Sequence, residues 1–387
     1  MIDLRHVQVS NLYFRLMWII ALLLYILIPF GSGILSSLYL GIIAITVILF
    51  VCSEALLFRK NFSKFDSRTI ILFSLIVLEL VVSASLGTGE TPIKDVFVGA
   101  MGYLEMLMAL IILHRLKYTY KNIKFLLHIN IVIAVLFTAL SFSGFAYSGR
   151  LPLLYLGYSN PNTTAIYLLL NQSILIIFLR NIRQWWLKFL VTVLCVYEVY
   201  LLFLTGSRTC LLASILIIAF YLSGKKFHIP RIVIIVAILF PLAFVWIYTG
   251  LYASGQYIDK AFLGKELFSG REQLFYEIFS NISGSLPFGD VTQYAFTNAH
   301  NAPLTIIASV GVVGYVLYFL YYSNFIFSYY KKNSSIQQNI ALVTIMATFL
   351  HSASEAVLMV GGAQYSIIVA TLYWILKGAA KDEKEMI

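Results

Sequence analysis

Residues 187–204 read LKFLVTVLCVYEVYLLFL and residues 209–223 read TCLLASILIIAFYLS, joined through Thr205-Gly206-Ser207-Arg208. The first stretch holds two charges, Lys188 and Glu198. A helix needs about 20 mostly apolar residues to cross the hydrocarbon of a bilayer, and this stretch has that length and character. Working outward, similar runs occur at 14–30, 34–57, 68–86, 96–113, 123–143, 162–179, 231–249, 303–328, 339–356 and 361–377. The whole chain is 60% hydrophobic and 11% charged, against roughly a quarter charged in a soluble domain. A soluble fold cannot hide that much apolar side chain. The sequence therefore predicts an all-α polytopic membrane protein, a single membrane domain over residues 1–387 with about twelve transmembrane helices.

The net charge of +10 does not point to nucleic acid. The basic residues sit in short clusters between apolar runs rather than along one face. Those clusters set the orientation, because cytoplasmic segments collect Lys and Arg. With the N-terminus inside, the outer segments keep Lys94, Arg150, Arg208, Lys260, Lys265 and Arg271, and the other 21 of the 27 basic residues fall inside. Both termini are expected in the cytoplasm. Cys52, Cys195 and Cys210 lie in apolar runs at unrelated spacings, which suits packing rather than a disulfide framework or a metal site.

Two outer segments are long, 144–161 and 250–302. A connection of about fifty residues is generally functional or disordered, and the second is rich enough in apolar residues to be folded. Ser269-Gly270-Arg271-Glu272 has capping-box spacing. Leu274, Phe275, Ile278, Phe279 and Ile282 follow at helical intervals. They predict a short amphipathic helix near 270–283, lying on the outer surface with its apolar face toward the interface. Ser285-Leu286-Pro287-Phe288-Gly289 ends it.

The residues suited to chemistry gather on this outer side. His300-Asn301 is followed, nine residues later, by Gly311-Val312-Val313-Gly314. The glycine pair would share one helix face and admit a close neighbour. His300 would stand at the mouth of the bundle, able to take a proton near neutral pH; its plainer role is an interfacial hydrogen bond. Ser207 is placed to cap the helix that begins at Arg208, so Arg208 and the free amides there would form an anion site; the alternative is a snorkelling arginine. Arg271 opens the loop helix, and its neighbour Glu272 suits a cap better than a catalyst. Arg150 occupies the other long loop, before Asn160-Pro161-Asn162, where Asn160 suits an N-cap and Pro161 a first turn. That tripeptide serves structure or substrate equally well.

Taken together, these motifs resemble the superfamily of O-antigen ligases and Wzy-type polysaccharide polymerases. The shared pattern is His-Asn-x9-Gly-x-x-Gly after a large outer loop, the Gly-Ser-Arg-Thr turn at 206–209, Gly270-Arg271 at the loop helix, and the Asn-Pro-Asn before a helix. Residue-level similarity runs from about 144 to 314; topology is similar over nearly the whole chain. Phe288-Gly289-Asp290 departs from the more glycine-rich turn common in that family. The resemblance implies a GT-C-like membrane fold and a glycosyltransferase that takes oligosaccharides from undecaprenyl diphosphate, without metal or nucleotide cofactor. It implies that Arg208 and Arg271 hold the diphosphate, that His300 acts at the anomeric centre as base or diphosphate ligand, and that Asn162, Asn301 and Arg150 position substrate. Expected partners are the lipid-linked oligosaccharides, the bilayer, and a flippase and chain-length regulator of the same pathway, in a bacterial cytoplasmic membrane.

Polymerase and ligase differ in acceptor, and no residue reads the acceptor directly. The aromatic loop and the lack of an extra basic outer surface favour a polymerase of capsular, exopolysaccharide or O-antigen repeat units. A secondary transporter or flippase is the main rival, because Glu79, Glu105, Glu198 and Glu355 fall in or near spans. Against it stand the absence of an internal repeat and of any Lys or Arg deep in a span.

Overall fold

The described apolar runs fold as helices, most with ends within a few residues of the limits drawn from hydropathy, whereas the first begins at Leu4, ten residues before its run. The computed structural model describes residues 4–27, 66–116, 118–143, 153–158, 160–224, 229–255, 261–262, 265–266, 271–296, 300–329, 335–353, 355 and 363–378. In chain order the long helices are α1 (Leu4–Leu27), α2 (Ser67–Leu86), α3 (Ile93–Arg115), α4 (Tyr120–Ser141), α5 (Pro161–Leu179), α6 (Trp185–Thr205), α7 (Arg208–Ser223) and α8 (Arg231–Ala253). A two-residue antiparallel pair, β1 (Ala261–Phe262) and β2 (Lys265–Glu266), precedes α9 (Arg271–Asn281) and the single turn α10 (Val291–Tyr294). Then come α11 (Ala302–Tyr329), α12 (Ile336–His351) and α13 (Ala363–Gly378). The run predicted at 34–57 lies outside the described residues, as do Cys52, Arg150 and the first half of the Ser269–Glu272 capping box.

Seven of these helices are long and apolar enough to cross a membrane, and three shorter apolar helices accompany them. The chain is an all-α, multi-pass membrane protein. Outward faces confirm the solvent: Leu78 of α2, Val196 of α6 and Trp246 of α8 are each more than half exposed, an apolar surface that water would not tolerate. α5 is the opposite case. From Thr164 to Leu179 every residue is buried, because α4, α6, α7 and α12 pack around it. Its polar residues bond across those contacts: Asn171 Nδ2 donates to Glu198 Oε1 of α6 at 2.7 Å, and Ser214 Oγ of α7 donates to Gln172 Oε1 at 2.7 Å. α13 fills the other half of the core against α3, α12 and α1.

The loop helix forms at Arg271–Asn281, and its apolar side packs against α8. Phe275 is fully buried, and its ring lies 5.7 Å from that of Tyr248. Phe279 stands edge-on to Trp246 at 5.1 Å. α9 therefore docks on α8 through aromatic contacts.

α11 is interrupted. Val310 (φ −129°, ψ 16°) and Gly311 (φ 71°, ψ −177°) leave helical geometry, so Gly311 and Gly314 do not share one continuous face as the spacing suggested. The freed backbone groups are met by the segment before α10. Asp290 N donates to Ala308 O at 2.9 Å, Val312 N to Leu286 O at 2.9 Å and Val313 N to Pro287 O at 3.2 Å. Ser83 Oγ of α2 donates to Ser309 O at 2.6 Å. In a bilayer such groups need partners inside the protein, and Ser285–Asp290 supplies them. Gly314 keeps the close-packing role, since a Cβ there would meet Val310 and approach Glu79.

Asp290 fixes this segment to the α2–α3 turn. Its carboxylate accepts from Thr88 N at 3.0 Å, Gln293 N at 2.9 Å and Thr292 Oγ1 at 2.6 Å, capping α10 and tying down the turn together. Asp290→Ala is expected to cost about 2 kcal/mol, the loss of a helix cap plus a buried bond. Thermal unfolding of the purified variant in detergent reads this; an unchanged midpoint would mean the latch contributes nothing.

Candidate functional site

The site is built at the end of the bundle where α5, α7, α9 and α11 begin and α12 ends. Asn160 caps α5, its Oδ1 accepting from Asn162 N at 2.8 Å with Pro161 in the first turn. That cap orients two amides the same way. Asn160 Nδ2 and Asn162 Nδ2 donate to one oxygen, Glu355 Oε1, at 3.2 and 2.8 Å. Arg271, the first residue of α9, brings Nη2 to the same oxygen at 2.8 Å. The other oxygen, Oε2, faces His300 Nδ1 at 3.3 Å.

Glu355 is the hub, with its side chain 2% exposed. The run 339–356 placed it at the end of a span; α12 in fact stops at His351 with Ser352 as C-cap, and Glu355 lies beyond, in the mouth of the bundle. Burial alone would push its carboxyl up. The hydrogen bond from His300, the charge of Arg271, the Asn162 amide and the nearby His351 outweigh it and hold the group at about 2, well below its ordinary 4.5. The cluster is thus a buried carboxylate, ionised at neutral pH, gathering residues from four distant parts of the chain.

His300 has φ 53°, a left-handed conformation uncommon for a residue with a Cβ. The next residue holds it there. Asn301 is fully buried; its Nδ2 donates to Pro241 O of α8 at 3.1 Å and Ala353 O at 3.0 Å, and its Oδ1 accepts from Leu304 N at 2.9 Å. Asn301 faces the protein on all sides and fixes the turn that carries His300. Strain maintained by such a staple is typical of positions where side-chain aim matters.

Arg208 opens α7 after Gly206, which closes α6 in the left-handed conformation (φ 65°). Ser207 stands at the N-cap position but its hydroxyl makes no capping bond. Arg208 and Arg271 both lie within electrostatic reach of the Tyr248 hydroxyl of α8. Of the residues singled out from sequence, His300, Arg271 and Asn162 meet on Glu355, Arg208 joins them through the surroundings of Tyr248, and Asn301 acts from behind. Glu355, Asn160 as a side-chain donor, Tyr248 and His351 were not singled out for this site. An acid near the end of an apolar run was the only signal for Glu355, and it pointed equally to transport.

No protein-family profile, curated protein or solved structure matches this chain.

Proposed function

We propose that the chain is an oligosaccharide repeat-unit polymerase of a bacterial cytoplasmic membrane, with about twelve spans, both termini in the cytoplasm and the Glu355 end outside. The observation that supports this most is the convergence of Arg271, His300 and two asparagine amides on one buried carboxylate. Such an arrangement can bind an anionic leaving group and move one proton, which is what transfer from a lipid diphosphate requires.

The acceptor hydroxyl attacks the anomeric carbon of the donor sugar. The bond from that carbon to the diphosphate oxygen breaks, and its electron pair leaves with the lipid diphosphate. Arg208 and Arg271 stabilise the departing charge; a guanidinium fork matches phosphate oxygens in two-point contact, each charged bond contributing about 1.5–3 kcal/mol. Glu355, accepting from His300 Nδ1, selects the tautomer whose Nε2 is an acceptor. Nε2 then takes the hydroxyl proton, and the carboxylate stabilises the imidazolium formed.

Purified protein given undecaprenyl-diphosphate-linked repeat units, without added metal or nucleotide, is expected to build a glycan ladder on a gel. Arg208→Ala, Arg271→Ala and His300→Ala are each expected to reduce the rate at least a hundredfold. No ladder from folded native protein rules out polymerisation of that substrate; ladders surviving in all three variants move the active site elsewhere. If product forms only when a separate lipid-linked core acceptor is added, the enzyme is a ligase.

A further inference from the structure

At the end of the bundle opposite Glu355, α4 begins, α5 ends and α6 begins, and these three ends surround a cavity of about 530 Å³. Lys124 and His128 enter its wall from α4; Asn181, Arg183 and Gln184 enter from the turn between α5 and α6. None of its described lining residues is acidic. His128 Nδ1 is held by the Lys124 carbonyl at 2.6 Å, and Gln337 of the segment packed behind donates to Asn181 Oδ1 at 2.8 Å. Leu127, Phe178 and Leu187 make part of the wall apolar. Beside it, Trp185 and Trp186 are 78% and 53% exposed and Tyr120 60%, the placement of aromatic rings at a headgroup layer.

We propose that this cavity binds an anionic phospholipid of the adjacent leaflet, its phosphate between Lys124 and Arg183 and its glycerol end against Leu187. Two cations without an acid ask for more negative charge than a zwitterionic headgroup offers. Basic pockets between spans at the cytoplasmic surface suit such headgroups. The apolar wall and the tryptophans favour a lipid over a free anion, which would leave both unused. The site is independent of any glycosyl transfer at the other end.

The test uses the full chain in neutral detergent and fluorescent phosphatidylglycerol, with phosphatidylcholine and inorganic phosphate as comparisons. The native protein is expected to bind phosphatidylglycerol at least tenfold more tightly than phosphatidylcholine, with millimolar phosphate failing to displace it. Lys124→Gln/Arg183→Gln is expected to bring the two lipids within twofold of each other. Lys121→Gln/Lys188→Gln, the same charge change outside the cavity wall, is expected to keep the preference. If the lining variant does not fold, Lys124→Arg/Arg183→Lys takes its place and must retain the preference. Equal binding of the two lipids by the native protein overturns the proposal, as does preference unaltered in the Gln lining variant. Equal loss in both Gln pairs would mean diffuse surface charge, and displacement by phosphate would mean a soluble anion site; either also overturns it.

Discussion

Glu355→Gln is expected to remove about 3 kcal/mol of stability at neutral pH, the usual cost of breaking a buried ion pair from one side. The substitution keeps the shape and removes the charge that Arg271 and His300 share. It leaves a guanidinium facing an amide that can accept only weakly. The pH dependence gives an independent reading. Because the folded carboxyl titrates at about 2 and an unperturbed one near 4.5, the folded state holds its proton less tightly than the unfolded state. The stabilisation is therefore complete above about 4.5 and lost as pH falls toward 2. A shift of that size also corresponds to about 3 kcal/mol. Unfolding in detergent followed from pH 7 downward should show native stability dropping below about 4.5, while the Gln variant loses far less over the same range. If the two curves stay parallel, the carboxylate is not what holds this end together. In the glycan assay the same variant should lose at least a hundredfold in rate, since neither Arg271 nor the His300 tautomer remains fixed.

Gly311→Ala is expected to be as damaging by a different route. At φ 71° and ψ −177° the backbone occupies a region essentially open to glycine alone, costing a substituted residue about 1–3 kcal/mol. A Cβ there would also run into the Pro287 carbonyl, and one on Gly289 (φ 66°) would meet the backbone nitrogens of Gly311 and Val310. Both obstacles are backbone, which cannot rotate aside as a side chain would. Relief requires moving Ser285–Asp290, and with it the bonds to Ala308, Val312 and Val313. A total loss of more than about 3 kcal/mol follows from strain and broken bonds together. Gly314→Ala, where the nearest atoms belong to the Val310 side chain, should cost clearly less. Comparing the two by thermal unfolding separates a break in the helix from ordinary close packing; equal losses would argue for packing alone.

The helices were legible because the bilayer imposes a length and a composition that hold along the whole segment. The run 68–86 became Ser67–Leu86 and 187–204 became Trp185–Thr205. Local chemistry was equally readable: Asn160 caps α5 as its position before Pro161 suggested. What could not be read was convergence. Glu355 lies 84 residues from Arg271 and 55 from His300, and no periodicity connects them. The glycine pair misled for the same reason. Its spacing matches a helix face, and only the arrival of Pro287 from a separate segment turns Gly311 into a break. The direction of the loop helix likewise depended on a partner, the aromatic side of α8, that its own amphipathicity cannot name.

The enclosure of α5 bears on how the chain is made. A helix carrying Asn171, Gln172 and Ser173 in succession, with the lowest mean hydropathy of the seven long spans at 1.5, is a poor lodger in lipid, since each polar group there raises the cost of insertion. As it leaves the ribosome, only α1, through Tyr25, and α4 precede it among the helices it packs on. The partners of the Asn171 amide nitrogen and of the Gln172 side chain arrive with α6 and α7. Insertion of this part of the bundle is therefore cooperative across three consecutive segments, and a ribosome that stalls after residue 180 would leave its least lipid-compatible helix without the companions that make it acceptable.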